Sequence, residues 1–199
     1  IDVVHNAIDV NAFTLRKDKE DYLLFLGRFH PNKGVHLAID AAEQLGARLI
    51  IAAPLPSPDK RDYFARCIAP RLGGRIEYVG EVAGEEKNRL LGGARCLILP
   101  LQWSEPFGLV LLESMACGTP AIAMNRGATG ELIVDGQTGF LVDTFSQLVA
   151  AVGRVEEIDP AACRSVRSAS RPRSRSMKRA ADQPNPDAAV AGTLPVSGS

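Results

Sequence analysis

The chain carries no surplus of charge: 23 Lys and Arg stand against 23 Asp and Glu, for a formal net charge of zero. No strong field therefore draws it to nucleic acid or to an anionic membrane surface, and neither is expected as a direct partner. Cysteine is sparse: Cys67, Cys96, Cys117 and Cys163 are scattered, with no CxxC pair. That spacing excludes a zinc ribbon or a disulfide frame and predicts reduced, mostly buried thiols in the cytoplasm. No apolar run is long enough to span a bilayer. There is no signal-peptide pattern, and the chain opens at Ile1, not Met, as a fragment does. Two nucleotide fingerprints are also missing, a GxGxxG after the first strand and a Gly-rich loop ending in Lys-Ser/Thr. Their absence weakens dehydrogenase and NTPase readings. Nor is there an Asp-x-Asp pair, so no metal site is expected.

What is present suffices for a core: 46% of residues are hydrophobic over 199 positions, which suits one large domain or one domain plus a tail. Short apolar runs at 22–26, 48–53, 76–79, 96–100, 121–124 and 139–142 predict six buried strands. Between them, periodic stretches at 33–45, 59–72, 84–91 and 145–155 predict helices, and 17–21 is a solvated charge run. Strands alternating with helices imply an α/β fold, a doubly wound parallel sheet with ligands at the carboxyl ends of its strands.

The chain is organised around WSEPFGLVLLE, residues 103–113. Ser104 or Glu105 suits a helix cap and Pro106 the first helical position. Gly108 then falls in the first turn, where a ligand approaching the backbone would need it. The run from Leu109 to Leu112 is apolar on all sides, which predicts a helix buried all round, with Glu113 as a carboxylate inside it. Eight residues at the helical rise separate Glu105 from Glu113 by roughly 12 Å along the axis. That matches the separation of ribose and sugar in a nucleotide diphosphate-sugar, with the diphosphate facing the free helix amides. The plainer alternative is a cap plus a carboxylate neutralised by a buried Arg. A second anion site is GRFHPNKG, residues 27–34. Arg28 follows the first strand directly. Lys33 falls in the first turn of the next helix, where the macrodipole opposes a cation, so an anion is expected opposite it. His30 and His36 read as surface or packing residues.

EPFGLVLLE resembles the Glu-x7-Glu signature of the retaining GT-B glycosyltransferases of family 4. The Gly-Arg-x4-Lys-Gly pattern of that family is met residue for residue at Gly27, Arg28, Lys33 and Gly34. The resemblance implies a Rossmann-like half of a GT-B fold and a glycosyltransferase that moves sugar from a nucleotide diphosphate-sugar to an acceptor hydroxyl. It assigns the diphosphate to Arg28 and Lys33 and the sugar to Glu105. The amides of Phe107, Gly108 and Leu109 would take diphosphate and sugar, Glu113 the ribose, and Val82, in a Gly-x-Val-like turn, the base. Arg28, Lys33 and Glu105 would be the catalytic group, without a metal or other cofactor. Gly127–Glu131 is similar to a Gly-x-x-Pro-Glu loop with Gly130 in the Pro position, and VVHNAID, holding His5, is similar to an interdomain connection. The QWSEPFG variant looks like a subgroup that uses UDP-glucose, so a UDP-linked donor is expected ahead of a GDP-linked one.

The resemblance covers roughly 1–160 and only the donor half; an N-terminal acceptor domain would be the missing partner. A full enzyme acting on lipid acceptors would associate peripherally with a membrane. On this reading 1–20 is linker and lead-in, 21–160 the nucleotide-sugar-binding domain and 161–199 a disordered low-complexity tail. From Cys163 onward Arg and Ser dominate and periodicity vanishes, through a frameshift or a natural disordered end. Two rivals remain: a truncated, non-catalytic nucleotide-binding module, and a sugar-nucleotide epimerase of GT-B architecture.

Overall fold

The computed structural model describes residues 8–169. Residues 1–7, His5 among them, and the chain after 169 lie outside the described residues. Six strands form one parallel sheet in the order β3-β2-β1-β4-β5-β6: β1 Leu23–Leu26, β2 Leu49–Ala52, β3 Ile76–Gly80, β4 Cys96–Leu99, β5 Ala121–Met124 and β6 Gly139–Val142. LLFL, LIIA, CLIL and AIAM are apolar at every position because helices cover both faces of the sheet. The edge strand β3 admits Glu77 and an exposed Val79. Leu23 and Leu24 pair with Leu49 and Ile50 on one side and with Cys96 and Leu97 on the other.

Crossovers from β1 run outward through β2 and β3, and those from β4 run the other way through β5 and β6. Right-handed connections then put α1 (Val35–Leu45) on one face, joined by α6 (Phe145–Val152), and α3 (Gly84–Gly93) with α4 (Leu109–Ala116) on the other. The order reverses between β1 and β4, and the loops leaving those two strands open a crevice at their carboxyl ends.

Four segments differ from the sequence-based expectation, each for a local reason. The helix expected at 59–72 is broken into α2 (Arg61–Tyr63), a wide-turn helix Phe64–Ile68 and 3-10 turns. Pro70 has no N–H for the Arg66 carbonyl, so the regular ladder cannot run through. The central helix begins at Leu109, three residues later than expected, because Gly108 is left-handed and the helix can start only after it. The charge run 17–21 is only partly solvated: Lys19 donates to Thr119 Oγ1 (2.7 Å) and to the Gly92 carbonyl (2.9 Å).

The fourth difference lies at the carboxyl end. Within the segment assigned to a disordered tail, α7 (Pro160–Ala169) is a regular helix packed on α4. Asp159 caps it through the Ala161 amide, Pro160 takes its first position, and Cys163 is fully buried. Arg164 donates to the carbonyls of Phe13 and Ala116 (both 2.7 Å) and of Val10 (3.1 Å). The domain therefore continues past 160. The lead-in belongs to it too, since Thr14 and Arg16 are hydrogen-bonded to Asn88 and to the Cys117 carbonyl. The four cysteines are free thiols, and Cys96, Cys117 and Cys163 are buried. Among the described residues no helix is long and apolar enough to cross a membrane.

Candidate functional site

The loops after β1, β4 and β5 are held against one another by backbone. Gly34 has a φ of +73°, and a Cβ there would fall 2.0 Å from the Pro100 carbonyl oxygen, so only glycine lets the first loop lie on the second. The Gln102 amide donates to the Asn32 carbonyl at 2.7 Å, which locks the same two loops. Glu105 forms a parallel bridge to Gly127 (φ +65°), whose missing Cβ would meet the Glu105 carbonyl oxygen at 2.4 Å. The Ala128 amide donates to that same carbonyl. Glu105 is thus fixed by its backbone from the β5 loop while its side chain points back to the β1 loop.

There the Glu105 carboxylate meets Lys33, and the two form an ion pair through Oε2. Trp103 Nε1 donates to the same oxygen at 3.2 Å, and the Lys33 ammonium lies 5.0 Å from the Trp103 ring centroid. Both ionic side chains are largely buried, at 19% and 10% exposure. Two expectations change here. Lys33 belongs to the 3-10 turn Pro31–Lys33 and is separated from α1 by the left-handed Gly34, so it is not a cation in the first turn of that helix. The anion opposite it, in the protein itself, is Glu105. Equally, neither Glu105 nor Ser104 caps α4, and Pro106 is not its first residue; the cap position is Gly108, with a φ of +68°.

Arg28, His30, Asn32, Lys33 and Trp103 line a small pocket of about 100 Å³ at this edge. Arg28 is exposed and makes no hydrogen bond or ion pair with any described residue. The His30 imidazole is held below its usual range by burial and then by the charges of Lys60 and Arg28, and its Nδ1 accepts from the Asn32 amide. The neighbourhood is therefore cationic and donor-rich. The amides of Phe107, Gly108 and Leu109 add to it: none donates to an acceptor among the described residues. Phe107 and Leu109 are 59% and 42% exposed, so the start of α4 is open, where the sequence predicts burial all round.

Glu113 sits in the second turn of α4, which buries Leu111 and Leu112 beside it. Its Oε1 accepts from Lys87 of α3 at 2.7 Å, so the partner is a lysine and not a buried arginine. Gly27 ends β1 directly before Arg28, and Val82 is half-buried on the loop between β3 and α3. The structure thus joins Lys33 to Glu105, with Arg28 in the same pocket. Glu113 stands apart from them, tied to α3. Sequence reasoning named Trp103 in the central motif without giving it a role, and did not single out Lys87. The indole two residues before Glu105 was a usable signal; Lys87 sits in an ordinary helical charge pattern and gave none.

A larger cavity, about 580 Å³, lies at the other end of the sheet among Lys17, Lys19, Asp21, Arg95, Pro120 and Pro160. Asp21, Arg95 and Pro120 precede β1, β4 and β5, so this cavity faces the amino ends of the strands, away from the crevice. Arg95 is already paired there with Asp21 and Glu156.

The profile described as Glycosyl transferases group 1 matches residues 8–172. Glycogen synthase of Mycobacterium tuberculosis is 36% identical over 180 residues, covering 85% of this chain and 43% of that protein. A D-inositol 3-phosphate glycosyltransferase of Mycobacteroides abscessus is 34% identical over 160 residues, 72% of this chain and 36% of its own length. The chain thus spans less than half of the curated relatives it matches. Among solved structures, Anabaena HepE in complex with UDP-glucose superposes with a TM-score of 0.71 at 22% identity, over 84% of this chain and 52% of HepE, a likeness of fold.

Proposed function

We propose, since this chain belongs to the glycosyl transferases group 1 family, that its crevice binds a nucleotide diphosphate-sugar and donates the sugar with retention, as in family 4. The observation that carries this is the convergence at one strand edge of the unpaired Arg28, the Lys33–Glu105–Trp103 cluster and the three undonated amides before and at the start of α4. A diphosphate there meets two cations and free N–H groups, charge stabilisation that needs no metal. The full enzyme would add an N-terminal acceptor domain over the crevice. Exposed Leu55, Val79, Phe107 and Leu109, at or beyond the carboxyl ends of β2, β3 and β4, offer it an apolar rim. The free thiols suit a cytoplasmic setting.

In this reading Lys33 has two tasks. Without donor it neutralises Glu105; with donor its remaining N–H groups turn to the diphosphate while Glu105 Oε1 accepts from a sugar hydroxyl. As the bond from sugar to diphosphate weakens, an acceptor hydroxyl attacks from the same face. Arg28, Lys33 and the amides of Phe107, Gly108 and Leu109 then hold the charge growing on the departing diphosphate. Glu113 takes the ribose and the Val82 backbone the base. UDP is favoured over GDP by the QWSEPFG variant, and HepE, of like fold, has been crystallised with UDP-glucose.

Calorimetry with UDP and UDP-glucose, with and without magnesium, tests the reading. Glu113→Gln should weaken both ligands, whereas Glu105→Gln should spare UDP and weaken UDP-glucose. Equal losses for both ligands in both variants would reverse the assignment, and no binding of any nucleoside diphosphate at millimolar concentration would end it.

A further inference from the structure

Glu113 is not free to take any orientation. Its side chain is 15% exposed, and one of its two oxygens, Oε1, is occupied by the Lys87 ammonium. Oε2 has no partner among the described residues and is not a buried, unsatisfied atom. Lys87 is itself held from two directions. Its ammonium lies 5.9 Å from the Phe13 ring centroid, in the lead-in. Its neighbour Asn88 accepts from the Thr14 amide (3.1 Å) and from the Cys117 thiol (3.3 Å), and donates to the Ala12 carbonyl. One side chain thus clamps α3 to both the lead-in and the end of α4. The lysine and the carboxylate stand on elements that cannot slide past one another, so the direction in which Oε2 points is fixed before any ligand arrives.

We infer that Lys87 is the positioning residue for nucleotide recognition: by holding Oε1 of Glu113 it presents Oε2 to the ribose hydroxyls and makes the site selective for ribonucleotides over deoxyribonucleotides. This rests on the assignment of ribose to Glu113. A carboxylate with one oxygen pinned by a cation keeps its remaining lone pairs for hydroxyl donors and cannot rotate away when one is missing. Discrimination follows because a deoxy ligand leaves a charged acceptor unpaired. Lys87 touches no substrate in this arrangement, so its effect is on selectivity rather than on the diphosphate.

The experiment is calorimetry of the full 199-residue chain with UDP, 2′-deoxy-UDP and 3′-deoxy-UDP. The wild-type chain should bind one of the deoxy ligands about tenfold or more weakly than UDP, the value of one charge-assisted hydrogen bond. Glu113→Gln should reduce that ratio to near unity. If the wild type shows no ratio, the ribose assignment fails and this inference with it. Given that ratio, Lys87→Met should also bring it close to unity, Lys87→Gln should leave an intermediate value, and Lys87→Arg should keep it. Should Lys87→Met not fold, the order of the Arg and Gln variants decides. A ratio unchanged in the Met and Gln variants, with only a lowered melting temperature or an equal loss for all three ligands, would make Lys87 a structural cation and overturn the inference.

Discussion

Lys33 is the counter-ion of a nearly buried carboxylate, and that decides what its removal does to stability. Lys33→Ala leaves Glu105 uncompensated beside Trp103, so the ligand-free protein should lose about 1–3 kcal/mol, read as a lower melting temperature. Lys33→Met combined with Glu105→Gln should recover most of it, and a double-mutant cycle by thermal melting checks the coupling. A lysine opposing a helix dipole, as the sequence suggests, would give the opposite sign; the left-handed Gly34 between Lys33 and α1 is why that reading fails. Lys19 contributes one part of the pH dependence. Burial pushes its amine down to about 8, below the ordinary 10.5. The folded state thus binds fewer protons than the unfolded one between those values, and stability should rise with pH across that window. Below pH 8 the unfavourable burial of the charge is fully present. The buried thiols of Cys96, Cys117 and Cys163, pushed up by burial, act the other way above pH 9, so unfolding titrations at pH 7 and 10 should show the wild type gaining stability relative to Lys19→Met rather than in absolute terms. Arg28, Lys33, Glu105 and Glu113 were all legible as residues, because fixed spacings mark them. Their partners were not, since a pairing such as Lys87 with Glu113 spans 26 positions and depends on how two helices pack.

The elements were legible where burial alone dictates them. All six strands fall within a residue or two of the apolar runs, and β5 and β6 coincide with them. Two of the failures come from backbone geometry, which hydrophobic periodicity does not record: Pro70 interrupts the ladder at 59–72 and the left-handed Gly108 delays α4. Asp159-Pro160 was a readable helix start, concealed by the Arg and Ser that follow. The close contact between the β4 and β5 loops gives a direct test. Gly127→Ala places a methyl group 2.4 Å from the Glu105 carbonyl oxygen at a φ of +65°, so the loops must part. A loss above about 3 kcal/mol is expected, together with weaker UDP-glucose binding as Glu105 moves. Gly46→Ala, at a similar φ but in open space, should lose only about 1 kcal/mol. Denaturant unfolding of the two variants separates backbone strain from collision.

At the scale of the molecule, the sheet places every proposed donor contact on one rim, and among the described residues Phe107 and Leu109 stand exposed there. If an acceptor needs a second wall to hold it in line, as in the proposed two-domain enzyme, the proximity contribution it brings is worth up to about 7–11 kcal/mol. The 199-residue chain should bind UDP, gaining about 2.7 kcal/mol at a hundred times the dissociation constant, yet transfer no sugar. A radiolabelled-donor assay beside a fusion to a matching N-terminal domain checks this. Transfer by the chain alone would mean that a second copy completes the cleft, and inactivity of the fusion would favour the non-catalytic module. The architecture was legible because alternating strands and helices admit few topologies; the extent of the domain was not, because Arg164, which reads as part of a polar run, reaches backbone carbonyls while Cys163 beside it enters the core.

That arginine brings the two ends of the described span together. Its guanidinium binds the carbonyls of Val10 and Phe13 from a position 154 and 151 residues further on, so the chain closes on itself at one seam. Order in sequence is then separable from order in space. A circular permutant of residues 8–169 that joins Ala169 to Ile8 by a short Gly-Ser bridge and opens at the exposed Leu55 loop would keep every strand neighbour and the whole crevice. It would also move the new termini to the carboxyl end of β2, beside the rim where another domain would dock.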